Sequence, residues 1–201
     1  MTTPTWTILD LGLGNLHSVM RAVERVGARP VLVTGADEVA TADRLLVPGQ
    51  GGFAVGAATL AGGVGDALRE YIAAGRPYFG ICLGMQLLFE TSEEAPGAAG
   101  LGVFGGAVRR LRGEGGRKVP HMGWNALESA HPLLPSGAWM YFVHSYHCVP
   151  TDDSLVAATV DYGEPVCAAI ARGNCVATQF HPEKSQRRGE ALLRRFLEEV
   201  R

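Results

Sequence analysis

Residues 77–89 read Pro77-Tyr78-Phe79-Gly80-Ile81-Cys82-Leu83-Gly84-Met85-Gln86-Leu87-Leu88-Phe89. An apolar run breaks at Gly-x-Cys-x-Gly and then resumes with apolar residues at helical spacing. This pattern predicts a buried strand that turns sharply into a helix with Cys82 at the apex, a nucleophile elbow with sulfur in place of oxygen. The flanking glycines follow from that geometry, because a Cβ at 80 or 84 would collide with the adjoining strand or helix. The first amides of the helix would face the sulfur and favour thiolate over thiol. The Leu83 amide could also hold an oxyanion forming on an attacked carbonyl. Taken alone, Cys82 also fits a small buried hydrophobe.

A second stretch, Val176-Ala177-Thr178-Gln179-Phe180-His181-Pro182-Glu183-Lys184-Ser185, supplies what a nucleophilic cysteine needs. Proline cannot continue a central ladder, so a strand is expected to end at His-Pro-Glu. In extended chain, residues i and i+2 share a side, which predicts that His181 and Glu183 meet at the strand's carboxyl end. Cys82 would then have a base, and the base an orienter.

Upstream, Thr7-Ile8-Leu9-Asp10 reads as a first strand, with a glycine turn at Gly12 and Gly14 and a helix in which Leu16, Val19, Met20, Val23 and Val26 recur before Gly27. Gly12-x-Gly14 lacks the third glycine of a dinucleotide fingerprint and reads as a tight turn. Pro30–Val33 and Arg44–Val47 are further strands, the latter running into Pro48-Gly49-Gln50-Gly51-Gly52-Phe53. Strands alternating with helices predict a parallel sheet, whose chemistry lies at the carboxyl ends of its strands. The 49–52 loop lies at such an end. It lacks the Lys-Ser/Thr of a phosphate loop and suits an oxyanion role.

A helix is expected over Asp66–Ile72, capped by Asp66 and stopped by Gly75, then a loop over 92–100. Beyond Leu101 short alternating segments predict largely antiparallel strands, with a hairpin turn at Arg172-Gly173-Asn174. An amphipathic helix over 188–200 closes the chain. The expected fold is α/β, with a three-layer, mixed and mostly parallel sheet flanked by helices and an antiparallel C-terminal portion.

The 201 residues are 47% hydrophobic, which suits one domain over 1–201. A net charge of −2 gives no reason to expect nucleic acid or an anionic membrane as partner. The four cysteines form no C-x-x-C pair and the N-terminus shows no signal-peptide pattern, so a reduced, cytoplasmic protein is expected. No His/Cys cluster has metal-ligand spacing, and no cofactor or metal is expected. No apolar stretch approaches the roughly 20 residues that span a bilayer.

Gly80-Ile81-Cys82-Leu83-Gly84-Met85-Gln86, Pro48-Gly49-Gln50-Gly51 and His181-Pro182-Glu183, in this arrangement, resemble the triad class (class I) of glutamine amidotransferase domains over nearly the whole chain. Pro120-His121-Met122-Gly123-Trp124-Asn125, Tyr141-Phe142-Val143-His144-Ser145-Tyr146 and the opening Ile8-Leu9-Asp10 with Gly14-Asn15-Leu16 look like the glutaminase subunits of imidazole glycerol phosphate synthases. Their partner is a (β/α)8 barrel cyclase.

The resemblance implies that Cys82 attacks the glutamine amide, with His181 as acid and base and Glu183 orienting it. The oxyanion would be held by Leu83 and by an amide of the loop, at Gln50 or Gly51. Gly49, Gln86, Ser145 and Tyr146 would bind glutamine. Pro120, His121, Met122, Gly123, Trp124, Asn125 and Tyr141 would face the cyclase. Ammonia would pass to the cyclase, which makes imidazole glycerol phosphate and aminoimidazole carboxamide ribonucleotide (AICAR) in histidine biosynthesis. A glutaminase serving an anthranilate or nucleotide synthase, and a silent scaffold domain, are the alternatives. His121, His131, His144 and His147 are not obvious bases and are expected to be surface or structural residues.

Overall fold

Side chains alternate between the two faces of a strand, so a sheet buried on both sides needs two cores. The computed structural model, which describes residues 3–200, shows both. Met1 and Thr2, the start of the stretch examined for a signal peptide, and Arg201 lie outside the described residues. On β1 (Thr5–Leu9), Trp6 and Ile8 enter one core and Leu9 the other.

The chain continues with α1 (Leu16–Arg25), β2 (Arg29–Val33), α2 (Ala36–Thr41), β3 (Leu45–Val47), α3 (Phe53–Thr59), α4 (Val64–Ala73), β4 (Tyr78–Ile81) and α5 (Leu83–Gln86). Strands then dominate: β5 (Thr91–Ser92), β6 (Gly106–Arg110), β7 (His121–Ala126), β8 (Glu128–Ser129), β9 (Trp139–His144), β10 (Tyr146–Pro150), β11 (Val156–Asp161), β12 (Pro165–Arg172) and β13 (Cys175–Thr178). The long helix α6 (Gln186–Glu199) closes the fold.

The main sheet has eight strands in the order β2-β1-β3-β4-β13-β12-β11-β8. Pairing is parallel from β2 through β13 and antiparallel from there to β8. Helices α1 and α6 pack on one face, and α2, α3 and α4 on the other. This is the expected three-layer arrangement. The remaining strands form two smaller sheets, β10-β6-β5 and β7-β9, which cover opposite faces through Val108 with Cys148 and through Met140 with Phe142. No helix among the described residues is long and apolar enough to cross a membrane.

Two local expectations change, and two short helices are new. Asp66 does not cap α4: the cap is Gly63 at φ 92°, while Asp66 sits in the first turn and pairs with Arg69 at 2.7 Å. The short helices α2 and α3 carried too few turns to register as a periodic pattern. Helix α5 stops after one turn although apolar residues run on to Phe89. Past Gln86 the chain tightens, Leu88 and Phe89 donating to Met85 O and Gln86 O at 3.2 and 3.1 Å, and the carbonyls of Leu87, Leu88 and Phe89 accept from the amides of Leu101, Phe104 and Gly102, at 2.7, 3.1 and 3.3 Å, so the α-helix does not extend.

Candidate active site

The elbow is as tight as its glycines require. Cys82 has φ 54° and ψ −103°, a conformation that an L-residue adopts only when its surroundings hold it there. Its N–H donates to Thr178 O at 2.7 Å, and its carbonyl accepts from Met85 and Gln86 at 3.0 Å each. A Cβ at Gly84 would lie 1.8 Å from Val47 O, and one at Gly80 would lie 2.8 Å from Gly84 O. Because α5 is a single turn, it brings less dipole to the sulfur than the sequence pattern suggested.

Strand β13 pairs with β4 so that Thr178 lies beside Ile81, which brings the chain after β13 next to the elbow. His181 N donates to Tyr141 O at 2.9 Å, and Ser185 Oγ donates to His181 O at 2.7 Å. Pro182–Lys184 forms a single 3-10 turn, so the turn rather than strand alternation brings Glu183 back to His181. His181 Nδ1 donates to Glu183 Oε1 at 2.8 Å, and both side chains are almost wholly buried.

Burial works to lower the His181 pKa, but Cys82 and Glu183 outweigh it and raise the value to about 9. Cys82 thus acts on the ring at close range, although no hydrogen bond of ordinary geometry occupies Nε2. That nitrogen remains available to hand over and recover a proton.

Cys82 and His181 open into a cavity of about 400 Å³, a size suited to a small ligand. Gln50 and Gly51 bound it on the loop side, and Gln86, Ser145 and Tyr146 opposite. Glu183 lies behind His181, outside this cavity, as does Gly49, where a Cβ would come within 2.7 Å of Leu83 Cβ. The Leu83 N–H points to Gly49 O at 3.4 Å, so the loop turns a carbonyl toward the expected oxyanion donor. The Gln50 side chain rests 3.4 Å from His181 Nδ1.

Glu94, His144 and Lys184, not expected there, also line the cavity. A further unforeseen residue is Gln179, fully buried, whose Nε2 donates to Cys82 Sγ at 3.4 Å. Its available signal was a primary amide directly after a buried strand, two positions before the histidine.

The 120–125 stretch divides by strand alternation. Met122 and Trp124 are 63% and 43% exposed, and Tyr141 meets Trp124 edge-on with centroids 5.9 Å apart. Trp139, 58% exposed, extends this face and was not anticipated. Pro120 is exposed and borders the cavity. Gly123 is half-buried at φ 132°. His121 does not face outward: it is 3% exposed and stacks on Phe142 and Tyr162 with centroids 4.7 and 3.9 Å away. Asn125 is half-buried and its amide donates to Asp161 O at 2.9 Å in an exposed bond. His121 lies inside because its neighbour Met122 in the strand occupies the outer face. His144 and His147 are buried, as structural histidines would be. Among the described residues no group of three or more His, Cys, Asp or Glu could hold a metal ion.

Residues 7–200 match the family model described as glutamine amidotransferase class-I. The chain is similar to a protein from Thermosynechococcus vestitus named imidazole glycerol phosphate synthase subunit HisH, 49% identical over 205 residues, covering 98% of each. A protein of the same name from Rhodopirellula baltica is 47% identical over 196 residues, covering 94% of this chain and 95% of that one. Among solved structures, one titled crystal structure of glutamine amidotransferase superposes with a TM-score of 0.76 at 24% identity, covering 96% of this chain and 97% of the other. PurLQS from Thermotoga maritima superposes at 0.74 and 19% identity, each chain fully covered. At these identities the two structures speak for the fold alone.

Proposed function

This chain belongs to the class-I glutamine amidotransferase family, and from that premise we propose that it acts throughout its length as one glutaminase domain serving histidine biosynthesis. It hydrolyses glutamine to glutamate and ammonia through a Cys82 thioester. The ammonia goes to a (β/α)8 cyclase subunit that forms imidazole glycerol phosphate and AICAR. The observation that carries the reading is that His181, paired at 2.8 Å with the buried Glu183 behind it, shares one small cavity with a strained cysteine.

The Cys82 thiolate attacks the side-chain carbonyl carbon of glutamine, forming a C–S bond and an oxyanion. His181 Nε2 then protonates the nitrogen as the C–N bond breaks, releasing ammonia and leaving a thioester. The neutral ring next takes a proton from water, whose oxygen adds to the thioester. When the C–S bond breaks, glutamate departs and Cys82 is again a thiolate beside an imidazolium. Glu183 holds the proton of Nδ1 and thereby turns Nε2 toward the reaction.

Gln86 binds the amino-acid end of the substrate in a defined sense. Its Nε2 donates to Tyr146 O and to Gln179 Oε1, both at 3.1 Å, which uses both hydrogens. The atom left for substrate is Oε1, an acceptor suited to the α-ammonium group. Ser145 and Tyr146 complete that end of the cavity.

The Leu83 amide becomes an oxyanion donor once the 49–50 peptide rotates away. That rotation replaces the Gly49 carbonyl with the Gln50 N–H, so Gln50 supplies the second donor. Glycine at 49 makes the rotation accessible. The exposed face of Met122, Trp124 and Tyr141 receives the cyclase, and Pro120 joins this face to the cavity.

Ammonia release from glutamine, measured with and without the cyclase for wild type and Cys82→Ala, tests the reading. Wild type in the complex should be active and the variant inactive. Equal rates for the two would establish a silent scaffold instead.

A further inference from the structure

Resting on the assignment of Cys82 as nucleophile, we infer that Gln179 is a further catalytic residue: its side-chain N–H holds the nucleophilic sulfur, and Gln86, itself oriented by the Tyr146 carbonyl, fixes the amide for that task. Gln179 is fully buried, yet its amide is fully used on the two sides that matter. Nε2 donates to Cys82 Sγ at 3.4 Å, within the longer range of bonds to sulfur, and Oε1 accepts from Gln86 Nε2 at 3.1 Å.

An amide can be turned end for end, so the assignment depends on what fixes it. The second hydrogen of Gln86 Nε2 goes to the Tyr146 carbonyl at 3.1 Å. The same carbonyl lies 2.9 Å from His144 Nδ1 and can only accept, so His144 carries its proton on Nδ1. His144 Nε2 is therefore an acceptor, and His121 Nδ1, 3.2 Å away, donates to it. Burial holds both rings neutral, pushing His121 down to about 4 and His144 to about 3, so neither can offer a second proton near neutrality.

Each link then has one direction. His121 donates to His144, and His144 and Gln86 both donate to Tyr146 O. Gln86 also donates to Gln179, and Gln179 to the sulfur. Turning the Gln179 amide around would set its NH2 against the Gln86 NH2 and its oxygen against the thiolate. Two repulsions oppose that state.

The sulfur needs such a donor. It sits in a wall that is almost closed to water, the helix behind it is one turn long, and the Leu83 amide is directed at Gly49. Buried anions are held by hydrogen bonds, which are strongest when one partner is charged. Gln179 follows directly on β13, the strand next to the elbow strand β4, and is not among the residues lining the cavity, so the cavity side of the sulfur stays free for the carbonyl carbon. It supports the thiolate twice in a turnover, as the attacking group and as the group expelled from the thioester.

The test uses the full chain in complex with the cyclase, with Gln179→Met, which removes the donor, and Gln179→Glu, which keeps the shape. Alkylation of Cys82 by iodoacetamide across pH, followed on the Cys82 peptide, reads the thiolate without any need for glutamine. His181 with Glu183 behind it, Cys148 from β10, and Glu94, His144 and Lys184 in the cavity wall are the titratable groups around this sulfur, and all remain in each variant. The alkylation midpoint should rise by about one pH unit in Gln179→Met and further in Gln179→Glu. The kcat should fall by about tenfold or more, with KM changed less than about twofold.

Gln86→Met frees the Gln179 amide to turn and should raise the midpoint by a smaller step, whatever it does to glutamine binding. If the Gln179 variants fail to bind the cyclase, this third profile decides. Midpoints equal to wild type overturn the inference. Should Cys82→Ala lose hydrolysis while the Gln179 and Gln86 variants keep wild-type midpoints, Gln179 has no such role and the proposed function stands. Hydrolysis surviving in Cys82→Ala removes the premise itself.

Discussion

The Leu83 N–H and the Gly49 carbonyl oxygen face each other at 3.4 Å across the mouth of the elbow. A long bond of this kind is weak, and breaking it exposes the amide best placed to meet an oxyanion. The isolated chain is therefore expected to hold its glutaminase back, since a carbonyl near a developing negative charge opposes catalysis and an amide assists it. One oxyanion donor is worth about 10²–10³ in kcat. Gln50→Pro removes the amide that rotation would present, so ammonia release by the complex should fall by about that factor. A kcat equal to that of wild type would reject Gln50 N–H as the donor.

The His181 pKa is the sum of opposing influences. Burial lowers it, while Cys82 and then Glu183 raise it, to about 9 from an ordinary 6.5. Removing the sulfur leaves burial opposed by Glu183 alone, so the pKa should drop in Cys82→Ala. Histidine NMR titration measures this directly. A folded-state pKa above the unfolded one means that protonated His181 stabilises the native state fully below pH 6.5, and this contribution disappears as pH rises through about 9. Urea titrations at neutral pH and above pH 9 should then show a smaller alkaline loss of stability in Cys82→Ala than in wild type. An unchanged His181 titration in the variant would mean that the sulfur does not act on the ring.

His121 and His144 give the opposite slope. Their pKa values of about 4 and 3 lie below the ordinary 6.5, so the unfolded chain binds protons that the folded chain refuses. Their contribution is intact above pH 6.5 and is lost as pH falls toward 3. His144→Gln keeps a donor for Tyr146 O but cannot ionise. Its stability should fall less steeply than that of wild type between pH 6.5 and 4, as read from urea midpoints. Parallel curves would show that His144 is not held neutral by the fold.

Local geometry explains how much of this was legible. The elbow could be read because strand, turn and helix start are consecutive residues, and because glycine at 80 and 84 has a steric cause that the structure confirms at Gly84 against Val47 O. His181 and Glu183 were legible as a pair for the same reason of proximity, although a 3-10 turn brings them together. The insertion of β13 beside β4 joins residues almost a hundred positions apart, and no local pattern encodes that pairing. The role of Gln179 depends on it, since a glutamine just past an apolar strand becomes a donor to Cys82 only once the two strands are neighbours. Trp139 escaped notice because an aromatic at the start of a strand reads as core until β7 is laid beside it.

Trp124 and Trp139 lie on a two-stranded sheet whose register runs from His121 beside His144 to Ala126 beside Trp139. At about 3.3 Å per residue that hairpin is roughly 17 Å long, and its outer face carries Met122, Trp124, Tyr141 and Trp139. Exposed aromatics of this kind act as interface anchors when a partner buries them, and truncating one often reduces affinity by about 30-fold or more. Trp124→Ala should therefore weaken cyclase binding by at least that factor. Its urea midpoint should barely move, because the ring is 43% exposed in the isolated chain. Trp139→Ala maps how far the partner reaches, since Trp139 stands at the end of the hairpin remote from Pro120 and the cavity. Loss of binding in both variants would mean that the cyclase covers the whole face, and loss only in Trp124→Ala that it stops short of Trp139. If calorimetric titration with the cyclase shows Trp124→Ala binding as tightly as wild type, the docking face lies elsewhere.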